Sequence, residues 1–196
     1  MSNDSRREFR FLTGRPWLDF VATLADRFGE DPFERMWDED RLAEWLHRAM
    51  GADRDIEVTG ADLEYGRWAR ETMRVMADAV LDGVEPPKEA VQAANRALEP
   101  YVPPRAEIEN GKLRHRAPGS VRTAVSWLML EALLMLSSEE VEVLQRCAAP
   151  DCRAIFLDPT GRRRWCPSGR CGVKLRVRAY RERARNQDND TDTEDH

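Results

Sequence analysis

The chain has no long apolar run, few histidines, and no cysteine outside the stretch from 147 to 171; each shortage removes a class of function. The longest apolar segment, Ala124 to Leu136, is about 13 residues and contains Glu131. That falls short of the roughly 20 residues that cross a bilayer, so it reads as a buried helix and no membrane partner is expected. The first ten residues alternate charged and polar side chains without the apolar stretch of a secretory signal, which predicts a cytoplasmic location. No internal repeat is present. His47 lies on an amphipathic helix and His115 beside a hairpin, and neither stands at a spacing that links it to a nucleophile. No catalytic residue is therefore named, and the chain reads as a non-enzyme.

Hydrophobic residues make up 41% of the 196 residues, enough for one helical core and a smaller appended unit. The segment Phe9 to Leu12 suits a short strand, leading through Gly14-Arg15-Pro16-Trp17 into a helix ending at Leu24. From Asp38, the positions Leu42, Trp45, Leu46 and Ala49 follow helical spacing until Gly51 stops them. Thr59 with Asp62 forms a capping-box pattern, opening what should be the longest helix, to Gly83. Pro87 suits the first turn of a further helix that ends before Pro100. Asn110-Gly111, flanked by Ile108 and Leu113, predicts a two-stranded hairpin. Gly119 to Leu136 is apolar on nearly all sides and should form the centre of the core.

Past Ser138 the composition changes. Between Arg146 and Arg185, eleven Arg and one Lys stand against Asp151, Asp158 and Glu182, a net +9 that leaves −14 on the rest of a chain whose total is −5. A cationic segment on an acidic protein points to a polyanion partner for that segment alone. The same segment holds Cys147, Cys152, Cys166 and Cys171, two C-x4-C pairs separated by 13 residues. In a reducing compartment this pattern favours one structural zinc over two disulfides or unconnected buried thiols. Four thiolates also close the tetrahedral shell, which leaves no open position for catalysis. Between the pairs, Ala154–Leu157 reads as a strand, Asp158–Gly161 as a turn and Arg162–Trp165 as the return strand. After Cys171 an unbroken run reads as a helix to about Arg185.

These residues carry a resemblance. Arg146 to Cys152, Phe156-Leu157-Asp158, Gly161 to Cys166 and Cys171-Gly172 resemble the CGNR zinc finger. Upstream, Gly14-Arg15-Pro16-Trp17-Leu18-Asp19-Phe20-Val21-Ala22-Thr23-Leu24 resembles the opening motif of the ABATE domain that accompanies that finger. The resemblance implies a bacterial, stress-related transcription regulator with a zinc-bound DNA-binding end. Val173 and Lys174 stand where the family's name-giving tetrapeptide has Asn and Arg, and Ala22 where Asn is usual. Lys174 keeps a phosphate-binding charge without the bidentate fork of arginine.

The expected architecture is mostly α with a small β-hairpin (α+β): a helical domain over 1–138, a treble-clef-like zinc finger over 139–185, and a disordered acidic tail over 186–196. Arg162, Arg163 and Arg164 on the finger, and Lys174, Arg176, Arg178, Arg181, Arg183 and Arg185 on its helix, are the candidate contacts to nucleic acid. Leu175, Ala179 and Tyr180 are expected to face inward. DNA is the expected partner and RNA a second polyanion; the rival reading is a zinc-stabilised protein-interaction module with no direct nucleic-acid role.

Overall fold

The computed structural model describes residues 4–191 apart from Arg54, with side chains described from Arg6 to Arg181. About 49% of the chain is helical, and among the described residues strands occur only as antiparallel pairs, so helices build the core. The elements are α1 (Asp4–Arg7), α2 (Pro16–Val21), β1 (Leu24–Ala25), β2 (Phe33–Glu34), α3 (Glu39–Met50), α4 (Gly60–Leu81), α5 (Lys88–Leu98), β3 (Ala106–Glu109), β4 (Lys112–His115), α6 (Val121–Leu136), a 3-10 turn (Glu139–Val143), β5 (Leu144–Arg146), β6 (Ile155–Leu157) and α7 (Arg170–Thr191).

Helix α6 lies at the centre because neighbours cover most of its circumference: α2, α3, α4 and α5 all pack on it. Ser120 caps its start by accepting from the Thr123 amide at 3.2 Å. Its one acid, Glu131, accepts from the Trp17 amide at 3.2 Å, and burial pushes its carboxyl above the usual range. Trp17, Phe20, Trp45, Leu128 and Met129 fill the space between the helices, with the Phe20 and Trp45 rings 4.8 Å apart.

The expected helix signals act as read. Asp38 accepts from the Arg41 amide at 2.9 Å, and Gly51 ends α3. Thr59 and Asp62 form the reciprocal capping box of α4, each side chain accepting the other's amide at 3.2 Å. Pro87 takes the cap position of α5 rather than its first turn. Asn110 and Gly111 turn with φ of 51° and 74°, pairing Ile108 with Leu113 across the hairpin.

Other expectations need correction. Phe9 to Leu12 is not a strand, because the amides of Leu12 and Thr13 both donate to Asp19 at 3.0 Å instead of to a strand partner. Helix α2 stops at Val21, and Leu24–Ala25 pairs with Phe33–Glu34. Helix α4 is not alone in length: α7 matches its 22 residues. That helix continues to Thr191, so no break in secondary structure falls at the expected tail boundary after Arg185; residues 192–196 lie outside the described part.

Candidate metal centre

Several contacts seat the finger on the helical body, and one uses the segment that resembles the ABATE opening. Asp19 accepts from the hydroxyl of Thr13 at 2.8 Å as well as from its amide, holding Thr13 so that its carbonyl receives the Leu157 amide at 2.8 Å. Burial pushes the Asp19 carboxyl up, against the opposing pull of these donors. Gly14, at φ 101°, lies against Leu157, where a Cβ would come within 2.9 Å of Leu157 Cδ1. Arg146 on β5 reaches the end of α4, at 2.6 Å from Asp82 and 2.7 Å from Asp78. The Phe28 amide donates to the Asp151 carbonyl at 3.1 Å. The docking role of Gly14 and Asp19 is not visible in the sequence.

Within the finger, β6 pairs with β5 and not with residues 162–165, so the expected return strand is absent. The cause is Asp158. Its buried carboxylate accepts from the Thr160 hydroxyl at 2.6 Å, the Thr160 amide at 3.1 Å and the Arg163 amide at 2.6 Å, turning the chain where a strand would have needed those donors. The Thr160 hydroxyl and then the Arg163 amide hold this carboxyl below its ordinary range. Two further bonds shape the ligand loop: Cys147 N to Ala154 O at 2.8 Å and Ala148 N to Arg164 O at 3.0 Å.

This folding brings all four thiols together. Cys147 follows β5, Cys152 lies in the turn after Pro150, Cys166 precedes Pro167, and Cys171 sits in the first turn of α7. The four sulfurs lie within 4.8 Å of one another, with Cys166 Sγ 3.9 Å from that of Cys152 and 3.6 Å from that of Cys171. A tetrahedron of sulfurs about 2.3 Å from a zinc ion has edges of about 3.8 Å, whereas a disulfide would need about 2.05 Å. All four cysteines are free, and the donor set fits one structural zinc. Hydrogen bonds among the sulfurs pull the Cys147 thiol down to about 7 and lower Cys166 as well, while they push Cys152 and Cys171 up. Zinc replaces the shared protons and allows all four to be thiolates.

A second, small core surrounds the sulfurs: Ala149, Phe156, Trp165 and Leu175. Gly172 is required there, because a Cβ would lie 2.9 Å from Trp165 Cδ1. Leu175 packs inward as expected. Ala179 and Tyr180 do not, and Tyr180 is 69% exposed.

The basic residues divide by environment. Arg162, Arg163 and Arg164 are exposed, with Arg164 over the Trp165 ring at 4.9 Å. Lys174 pairs with Asp151 at 2.8 Å, which raises its pKa through that hydrogen bond. Arg176, Arg178 and Arg181 are exposed on α7, and Arg176 also donates to the Gly172 carbonyl at 3.2 Å. The side chains of Arg183 and Arg185 lie outside the described residues.

Among the described residues no helix is long and apolar enough to cross a membrane. No curated protein matches the chain. Residues 144–184 match the CGNR zinc finger. With residues 14–139 matching ABATE, described as "Putative stress-induced transcription regulator", the chain belongs to the ABATE family and ends in a CGNR zinc finger.

Proposed function

We propose that the protein is a zinc-dependent, DNA-binding transcription regulator of the stress-related kind its family description names. The observation that carries this reading is α7: zinc fixes its first turn through Cys171, Leu175 anchors it, and every described residue from Arg176 to Arg181 is exposed. A helix of 22 residues is about 33 Å long. An exposed helix studded with Arg176, Arg178 and Arg181 suits a major groove about 12 Å wide, with the helix setting position and the guanidiniums meeting phosphates or base edges. Arg162, Arg163 and Arg164 flank its root and add positive charge.

The reading is not enzymatic. Four thiolates close the zinc shell, His47 Nδ1 lies 2.8 Å from the Ala52 carbonyl at the end of α3, and His115 stacks edge-on against Trp127.

A second reading has its own observation. Val173, Val177 and Tyr180 are exposed at helical spacing on the same helix, which suits an acidic protein groove with apolar pockets. Selection of the zinc-loaded protein against randomised duplexes at physiological salt separates the two. Enrichment of a motif that disappears in Cys166→Ser supports the DNA reading. Failure to enrich any motif, or enrichment that survives the substitution, moves the assignment to protein recognition.

A further inference from the structure

Between the helical body and the finger lies a cleft of about 1200 Å³, bordered on the zinc side by Cys152, Cys166 and Cys171 and reaching across to Arg10 and Arg35 of the body. Arg35 lines it while only 4% exposed. A buried cation normally has a carboxylate against it. Arg35 has none within ion-pair distance among the described residues; its Nε donates to the Arg6 carbonyl at 3.1 Å and its Nη1 to the Ala22 carbonyl at 2.9 Å.

The acids nearest to it are engaged elsewhere. Glu34 is held by Arg70 at 2.6 and 2.8 Å, and Asp26 lies 3.7 Å from Arg6. Two further cations, Arg10 from the body and Arg170 from the start of α7, line the same cleft, and neither forms an ion pair with a described carboxylate; of the other lining acids, Asp31 is taken by Arg6 and Glu30 is exposed at the rim. Burial, and then the repulsion of Arg10 and Arg170, bring the Arg35 guanidinium down to about 10, so it remains charged at neutral pH. The cleft acid on the finger side, Asp151, is taken by Lys174, and the zinc-thiolate cluster, with its net charge of about −2, borders the cleft through Cys152, Cys166 and Cys171.

We infer that this interdomain cleft binds a small anionic ligand, a phosphate- or carboxylate-bearing molecule held between Arg10 and Arg35 of the body and Arg170 of the finger. Three guanidiniums offer the forked donors that such oxyanions accept in pairs. The first turn of α7 opens on the same space and adds the positive end of its dipole. Because the ligand bridges two domains, its binding tightens the seating of the finger, which places it where it can govern the orientation of α7.

Full-length, zinc-loaded protein titrated calorimetrically with pyrophosphate and, separately, citrate tests this, with potassium chloride at matched ionic strength as the baseline. Arg10→Gln, Arg170→Gln and their double variant are compared with Arg162→Gln, an exposed arginine outside the cleft, and zinc content is measured throughout. The expected result is saturable binding of at least one probe, weakened tenfold or more in the double variant at unchanged zinc content and unaffected by Arg162→Gln. Pyrophosphate without citrate assigns a phosphate ligand, and the reverse a carboxylate. No saturable binding above the chloride baseline, or equal binding by the double variant, would overturn the inference. So would displacement of the probe by a short DNA duplex whose own affinity falls in the double variant, since the arginines would then serve the nucleic-acid backbone. No DNA enters the primary titration, so its outcome is independent of the regulator reading.

Discussion

The arginines of α4 and those of the zinc finger are the same residue doing opposite jobs. On α4, Arg70 is 3% exposed and held by Glu34, Glu71 and the Thr23 hydroxyl, while Arg74 is 4% exposed and held by Asp78. On the finger, Arg162, Arg176 and Arg181 are exposed and no described carboxylate pairs with them. A buried guanidinium whose counter-charges lie in the same fold is a structural strut, because removing it leaves partly buried acids without their donors. One without an internal counter-charge contributes little to stability and is left to meet an external anion. Arg146 stands between the two classes: it belongs to the finger, yet its partners Asp78 and Asp82 are on the body.

Four variants put this contrast to the test. The largest effect is expected from Cys166→Ser, which removes a ligand from a module whose folding rests on zinc binding of about 10–16 kcal/mol in comparable peptides. Metal analysis should show loss of zinc, and limited proteolysis should cut within 144–191 while the helical body resists; a zinc-loaded, protease-resistant variant would contradict the assignment. Arg70→Met should lower stability by about 2–3 kcal/mol in urea unfolding, since half-buried Glu34 and the Thr23 hydroxyl lose the donor that holds them. Arg146→Ala should cost about 1–3 kcal/mol, read as faster amide exchange in Leu144 to Leu157 at unchanged zinc content. The smallest effect on stability is expected from Arg176→Ala combined with Arg181→Ala, within about 0.5 kcal/mol of wild type. That pair should nevertheless flatten the salt dependence of duplex binding, by about 0.9 in logarithmic slope for each phosphate that is no longer neutralised.

The contrast also explains which parts of the molecule were legible in the sequence. Helices announced by local chemistry appear where their signals stand: Asp38 with Gly51, Thr59 with Asp62, and the Asn110-Gly111 turn each act within a few residues. The four cysteines were legible for the same reason, as two short-range pairs. What sequence spacing hides is a backbone donor diverted by a side chain. Asp158 takes the Arg163 amide and cancels the return strand, freeing β6 to pair with β5 across the ligand loop. Asp19 takes the amides of Leu12 and Thr13 and leaves that segment without a ladder. Buried arginines are hidden too: nothing in the periodicity of α4 marks Arg70 and Arg74 as interior, because their partners lie in a separate strand or one turn along. Arg35 gave no signal beyond lying next to Glu34, between Phe33 and Met36. The inward faces assigned to Ala179 and Tyr180 failed because the finger's small core reaches along α7 only as far as Leu175, so the periodicity beyond it has no core to match.

In the proposed function, zinc fixes the root of α7 and so presents its arginines to nucleic acid. Titrating a chelator into the protein bound to its selected duplex, while following zinc content and duplex affinity on the same sample, tests it most directly. The account predicts one zinc per chain and loss of duplex binding in step with loss of zinc, restored when zinc is returned. Duplex binding that persists after the zinc is gone would contradict it.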